Sequence, residues 1–372
     1  MVDGRIDAVG TGHRSTGGGP AANRPHEGPG AAAPRVVDLG GMILAPGFID
    51  LHVHGGGGAQ FMGGDPAACR RAARFHAARG STGLLATTVS APLEALAAAV
   101  HGIAEAMADE PVILGCHLEG PWLNPLRRGA HAEACLRAPD PAELHALTAP
   151  GVVRLISLAP ELPGGLELVA AVVEAGAVAA LAHTDATHAE AVAAIAAGAR
   201  HATHLFNGMR PFHHRDPGVV GAVLDDDRVT CELIADGHHV HAAAMRLALR
   251  AKRTDRAALV TDATEAAGLP DGVFRLGGGT LRVVDGRAVT EDGRLAGTTL
   301  TMDAAVRHVH RSLGVPLGDA VALATTTPAR VLGLDERKGR IAPGYDADLV
   351  VLDAELRPRA TLLGGEWVGE SP

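Results

Sequence analysis

The stretch "GFIDLHVHGGGG", Gly47–Gly58, runs from an apolar segment into four consecutive glycines, with His52 and His54 one residue apart just before them. The side-chain period of an extended strand is two, so both imidazoles point to the same side. The glycines supply a backbone that can turn tightly at the strand's end. A single His-x-His is weak evidence for a metal, because a strand-end histidine ordinarily bonds a turn. Its weight depends on whether similar strands, ending in similar residues, follow it.

They do. Short β-rich runs recur at 82–90, 111–120, 152–161, 177–184, 201–206, 228–237 and 258–264, making eight strands with the first. Ala/Leu-rich segments of helical spacing lie between them. Asp65-Pro66 opens one helix that stops near Gly80, and Thr187 opens another that stops near Gly198. Eight strands alternating with helices predict an α/β chain folded as a (β/α)8 TIM-type barrel. A doubly wound sheet would want a glycine-rich phosphate fingerprint at its first turn, and "HGGGGAQFMGG" lacks that spacing.

The barrel is expected over 45–328, with a hairpin insertion near 273–297 marked by turn signals at Asp285-Gly286 and Asp292-Gly293. Residues 1–44 and 329–372 are expected to form a small β-sandwich-like domain, interrupted by a Gly/Pro-rich flexible loop at 11–34.

The 372 residues are 47% hydrophobic but only 2% aromatic, so the core must be built from Val, Leu, Ile and Ala. A net charge of −9, without basic and aromatic stripes, argues against nucleic acid as a partner. No apolar window is long enough for a membrane span and no leader pattern opens the chain, which points to the cytoplasm. Cys69, Cys116, Cys135 and Cys231 are scattered, with no Cys-x-x-Cys pair.

In this type of barrel the active site forms at the C-terminal ends of the strands. His52 and His54 close the first strand, Glu119 the third, His183 the fifth and Asp262 the eighth, and His204 lies in the sixth. Each alone has an ordinary explanation as a cap or turn residue. Six at one mouth are another matter, because uncompensated carboxylates and imidazoles in one pocket are costly and a divalent cation removes that cost. The donors suit Zn2+ and also accept Fe2+ or Mn2+. Such an ion lowers the pKa of water and polarises a carbonyl, so hydrolysis is the natural chemistry.

The segments "APGFIDLHVHG", "HLEGPWLN", "AHTDAT", "THLFNGM", "IADGHHV" and "VTDAT", followed by "GYDADLVVLD", resemble the N-acetylglucosamine-6-phosphate deacetylase family of the amidohydrolase superfamily, from about Gly40 to Asp353. The resemblance implies a metal-dependent hydrolase acting on an amino-sugar phosphate. It implies Glu119, His183 and His204 as ligands of the main ion, and His52, His54 and shared Asp262 as ligands of a second, giving one or two ions per subunit.

It further implies Asp262 as general base and then acid, and His131 as the donor to the acetyl carbonyl. Asn207, Gly208, Arg215 and His239 would hold the phosphate, with Arg215 supplied across a homodimer interface. Superfamily members that bridge two metals with a carbamylated lysine are excluded, because neither Lys252 nor Lys338, the only two lysines, lies at a strand end.

The rivals are a deacetylase of another N-acyl sugar phosphate such as the galactosamine epimer, an N-acyl amino acid amidohydrolase, and a catalytically inactive scaffold. The scaffold would show lost ligands, and none is missing. Members of the family begin with further strands before the "DGRIDAVG" element, so the small domain is expected to be cut short or the start site to be placed late.

Overall fold

The computed structural model describes residues 1–10 and 36–369, so the expected loop at 11–34 lies outside the described residues. Eight strands form one parallel sheet in sequence order: β1 (Phe48–Val53), β2 (Ser81–Thr87), β3 (Ile113–Glu119), β4 (Val153–Leu158), β5 (Val178–Leu181), β6 (His201–Ala202), β7 (Thr230–Ile234) and β8 (Ala257–Val260). The barrel closes between its first and last strands. Just beyond β8, Asp262 N–H donates to His52 O at 2.8 Å and His54 N–H to Ala263 O at 2.8 Å. The Asp50 carboxylate spans the same seam, accepting the Thr261 hydroxyl at 2.5 Å and the Thr261 N–H at 3.2 Å.

Apolar residues of six strands, among them Ile49, Leu85, Leu155, Ala180, Ile234 and Val260, pack together as the barrel's own filling. The larger core lies between the strands and the surrounding helices. Helix Pro66–Ala77 starts at Asp65, whose side chain caps the Ala67 N–H, and helix His188–Ala197 starts in a capping box of Thr187 with Glu190 and ends at Gly198.

Strand lengths differ from the sequence reading at the functional end. β5, β6 and β8 each stop two residues before His183, His204 and Asp262, and all three residues adopt left-handed backbone, with φ of 43°, 30° and 49°. A strand position would send these side chains perpendicular to the sheet. Leaving the ladder in a left-handed turn redirects them over the barrel mouth, at a cost of order 1 kcal/mol or more each.

The expected hairpin insertion is instead a three-stranded sheet, Gly272–Leu276, Gly279–Val284 and Arg287–Thr290, because Gly277-Gly278 makes an additional turn. The tail pairs with the N-terminal side of the chain. Ile43–Pro46, Leu349–Leu352, Pro358–Leu363 and Glu366–Trp367 form a four-stranded sheet, and Arg5 bridges to Asp346. Among the described residues no helix is long and apolar enough to cross a membrane. Lys252 is buried on carbonyls of Val223 and Asp226, and Lys338 pairs with Asp346 and Asp348, so neither enters the barrel mouth.

One buried histidine of the scaffold makes stability pH-dependent. His76 is 1% exposed and its Nε2 lies 2.9 Å from Gly55 O, which can only accept, so Nδ1 is a bare lone pair without a partner. Burial pushes its pKa down to about 4. The unfolded chain, titrating near 6.5, therefore binds more protons between those values, and stability is full above 6.5 and lost as pH falls toward 4. His76→Gln is expected to remove about 2 kcal/mol of the stability lost between pH 7 and pH 5. Urea denaturation at both pH values checks this, and an equal acid-side loss in both proteins would refute it.

Candidate metal centre and active site

The fold brings all six ligand-type residues to the barrel mouth around Glu119. Glu119 Oε1 lies 3.1 Å from His183 Nε2 and 3.0 Å from His204 Nε2, and those two nitrogens are 3.1 Å apart. Glu119 Oε2 lies 3.4 Å from His54 Nε2, while His52 and His54 present their Nε2 atoms 3.2 Å from each other. Asp262 Oδ1 completes this side, 3.2 Å from His54 and 3.6 Å from His52. Two groups of donor atoms thus share Glu119: His52 with His54, and His183 with His204.

The tautomers suit a cation. Backbone carbonyls cannot donate, so His183 Nδ1, 2.7 Å from Arg127 O, and His54 Nδ1, 3.3 Å from Thr87 O, must carry the protons. His52 Nδ1 lies 3.1 Å from the Glu232 carboxylate with the same consequence. In its neutral form each ring presents a bare Nε2 lone pair to the cluster, the arrangement by which outer partners orient metal-binding imidazoles. A tetrahedral ion with bonds of about 2.0–2.1 Å holds neighbouring donors roughly 3.3 Å apart, close to the spacings seen.

The electrostatics agree. Burial by itself would raise the Glu119 carboxyl, but His52 and His131 hold it well below the usual range, and Asp262 is likewise lowered against its burial by His52 and His54. His52 and His54 are raised despite burial, because Glu119 and Asp262 face them. The pocket demands positive charge.

His131 stands beside this cluster, its Nε2 3.3 Å from Glu119 Oε2. Its Nδ1 accepts the Ser90 N–H at 3.1 Å, which places the proton on Nε2. Burial pushes the ring's pKa down to about 4, so at neutral pH it is an uncharged hydrogen-bond donor facing the pocket.

Asn207, Gly208 and His239 line the same pocket as His54, Glu119, His131, His183, His204 and Asp262. A Cβ on Gly208, where φ is +60°, would come 2.6 Å from His183 Nδ1, so only glycine brings the backbone this close. His239 Nδ1 sits 2.7 Å from Asp236 Oδ2, and this pairing raises its pKa against the effect of burial. Arg215 is not among the lining residues. It lies on an exposed turn, its guanidinium 2.8 Å from His214 Nε2.

Glu232 was not singled out from the sequence, although an acidic residue within the apolar run "TCELI" was a signal. Ser90, which sets the His131 tautomer, had no signal at all.

Residues 43–368 match the family model described as "Amidohydrolase family". The chain belongs to the amidohydrolase family. Within it, the chain is similar to amino-sugar phosphate deacetylases. It is 40% identical to N-acetylgalactosamine-6-phosphate deacetylase of Escherichia coli O157:H7, over 89% of each chain. It is 37% identical to N-acetylglucosamine-6-phosphate deacetylase of Bacillus subtilis, over 87% of this chain and 84% of that one.

Among solved structures it resembles an Asp-to-Ala mutant of N-acetyl-D-glucosamine-6-phosphate deacetylase from Mycobacterium smegmatis in complex with N-acetyl-D-glucosamine-6-phosphate. The identity is 43% and the TM-score 0.86, over 91% of this chain and 90% of that one.

Proposed function

We propose that this protein hydrolyses N-acetyl-D-glucosamine 6-phosphate to D-glucosamine 6-phosphate and acetate, in amino-sugar catabolism or recycling. The observation that carries the reading is the meeting of two histidine pairs on Glu119 in the pocket that Asn207, Gly208 and His239 also line. The relatives' names and the substrate held by the similar structure support it.

Glu119, His183 and His204 would hold the main ion, and His52, His54 and Asp262 a second, with zinc the best fit to imidazole and carboxylate donors. When bound, the metal activates the attacking water and polarises the acetyl carbonyl. Asp262 accepts a proton from that water as its oxygen bonds to the acetyl carbon. His131 Nε2–H donates to the carbonyl oxygen as charge builds on it. The C–N bond then breaks, Asp262 returns the proton to the leaving nitrogen, and acetate and the free amine separate.

Gly208 and His239, together with Asn207, would bind the phosphate from within the chain. Arg215, turned to the exterior, would reach the site of a second subunit in a homodimer, where its planar fork matches phosphate oxygens. The small sheet would form one unit from 1–44 and 329–372 beside the barrel of 45–328, and the enzyme would work in the cytoplasm.

The test is acetate release measured side by side. N-acetylglucosamine 6-phosphate should be turned over with kcat/KM about 10²-fold or more above unphosphorylated N-acetylglucosamine. Equal or better turnover of the unphosphorylated sugar would refute the phosphate assignment. The galactosamine epimer is the second substrate to assay, because one relative at 40% identity carries that name.

A further inference from the structure

A third set of side chains with metal-type spacing lies beneath the mouth: His52, His117 and Glu232. Hydrogen bonding already uses the imidazole of His117. Its Nδ1 must donate to Leu51 O at 3.1 Å, and its Nε2 then accepts from the Ser157 hydroxyl at 2.7 Å. With no lone pair left on that ring, the group is not a third ion site, and the role of Glu232 has to be sought in what it accepts.

Glu232 lies on β7 with no exposed surface. Its Oε1 takes His201 Nε2–H at 3.0 Å from β6. Its Oε2 takes two donors, His52 Nδ1–H at 3.1 Å from β1 and the His204 backbone N–H at 3.0 Å. One carboxylate oxygen therefore touches a residue from each of the two histidine pairs around Glu119.

We propose that Glu232 is the positioning residue that makes His52 a metal ligand, by holding the proton on Nδ1 and the bare Nε2 lone pair toward His54 and Asp262. The inference rests on the reading of His52 as a ligand of the second ion. An amide at 232 could present its NH2 group to His52 Nδ1. The ring would then carry its proton on Nε2, where an ion would otherwise bond. Outer partners of this kind typically change metal affinity 10–100-fold.

The test is zinc binding to the full-length protein, read by metal analysis after dialysis against a series of buffered Zn2+ concentrations, which needs no turnover. Wild type should bind two ions. Glu232→Gln should weaken the second 10–100-fold and the first less, because Oε2 also accepts the His204 N–H, and the same substitution made on top of His52→Asn should weaken the second ion no further.

A Glu232→Gln protein that keeps wild-type affinity for both ions, or loses as much in the His52→Asn background, overturns the proposal. If that variant does not fold, Glu232→Asp and His201→Gln carry the comparison, with unchanged second-ion affinity in both as the overturning result. If His52→Asn itself leaves zinc binding as in wild type, the ligand reading fails instead.

Discussion

Asp262→Asn should lower kcat by about 10²–10⁴-fold while the protein stays folded and KM moves little. Asp262 follows β8 in a left-handed turn, its backbone pinned on both sides. Its N–H donates to His52 O at 2.8 Å and its carbonyl accepts the Thr298 N–H at 2.8 Å. An asparagine keeps those backbone bonds and nearly the same volume, but it cannot take a proton from water and return it to the amine. Gly297 borders the turn so closely that a Cβ there would come 2.8 Å from Asp262 O, so the loop has little freedom to bring another base into place. Steady-state acetate release with metal content measured on the same sample checks the claim. Unchanged kcat in a metal-loaded variant would refute the role of Asp262 as proton carrier.

The second large effect is expected at Glu119, which among the described residues joins both histidine pairs. Glu119→Gln removes a full negative charge from between His54, His183 and His204 and can leave an amide N–H where a lone pair stood. Zinc per chain should fall below one equivalent and activity by roughly 10³-fold or more, with no recovery on adding metal. Chelated wild type should by contrast recover when zinc is returned. A Glu119→Gln protein that holds zinc normally would contradict the ligand assignment. The two variants separate the halves of the proposal: the rate of Asp262→Asn at equal metal content reads proton transfer, and Glu119→Gln reads metal.

Much of this site was legible in the sequence because strand ends are local. The apolar runs, the capping residues Asp65 and Thr187 and the glycines after His54 each depend on neighbours a few positions away. They place His52 and Glu119 on strands and His54 one residue past the end of β1. The placement of His183, His204 and Asp262 was legible only to within two residues. Period and propensity extend a strand as long as its residues suit one, and nothing local announces a left-handed turn at a histidine or aspartate. The third strand of the insertion was missed for a similar reason: Gly277-Gly278 looks like part of a flexible glycine run until its flanking segments pair.

The sequence by itself determined the kinds of donor atom available, the eight-strand alternation and the end of the barrel where those donors collect. Only the tertiary structure decided which nitrogen of each imidazole faces the pocket. That choice is made by partners distant in the chain: Arg127 for His183, Thr87 for His54, Ser90 for His131 and Glu232, 180 residues away, for His52. A proton settles on whichever nitrogen meets an acceptor, and barrel closure is what sets those acceptors in place.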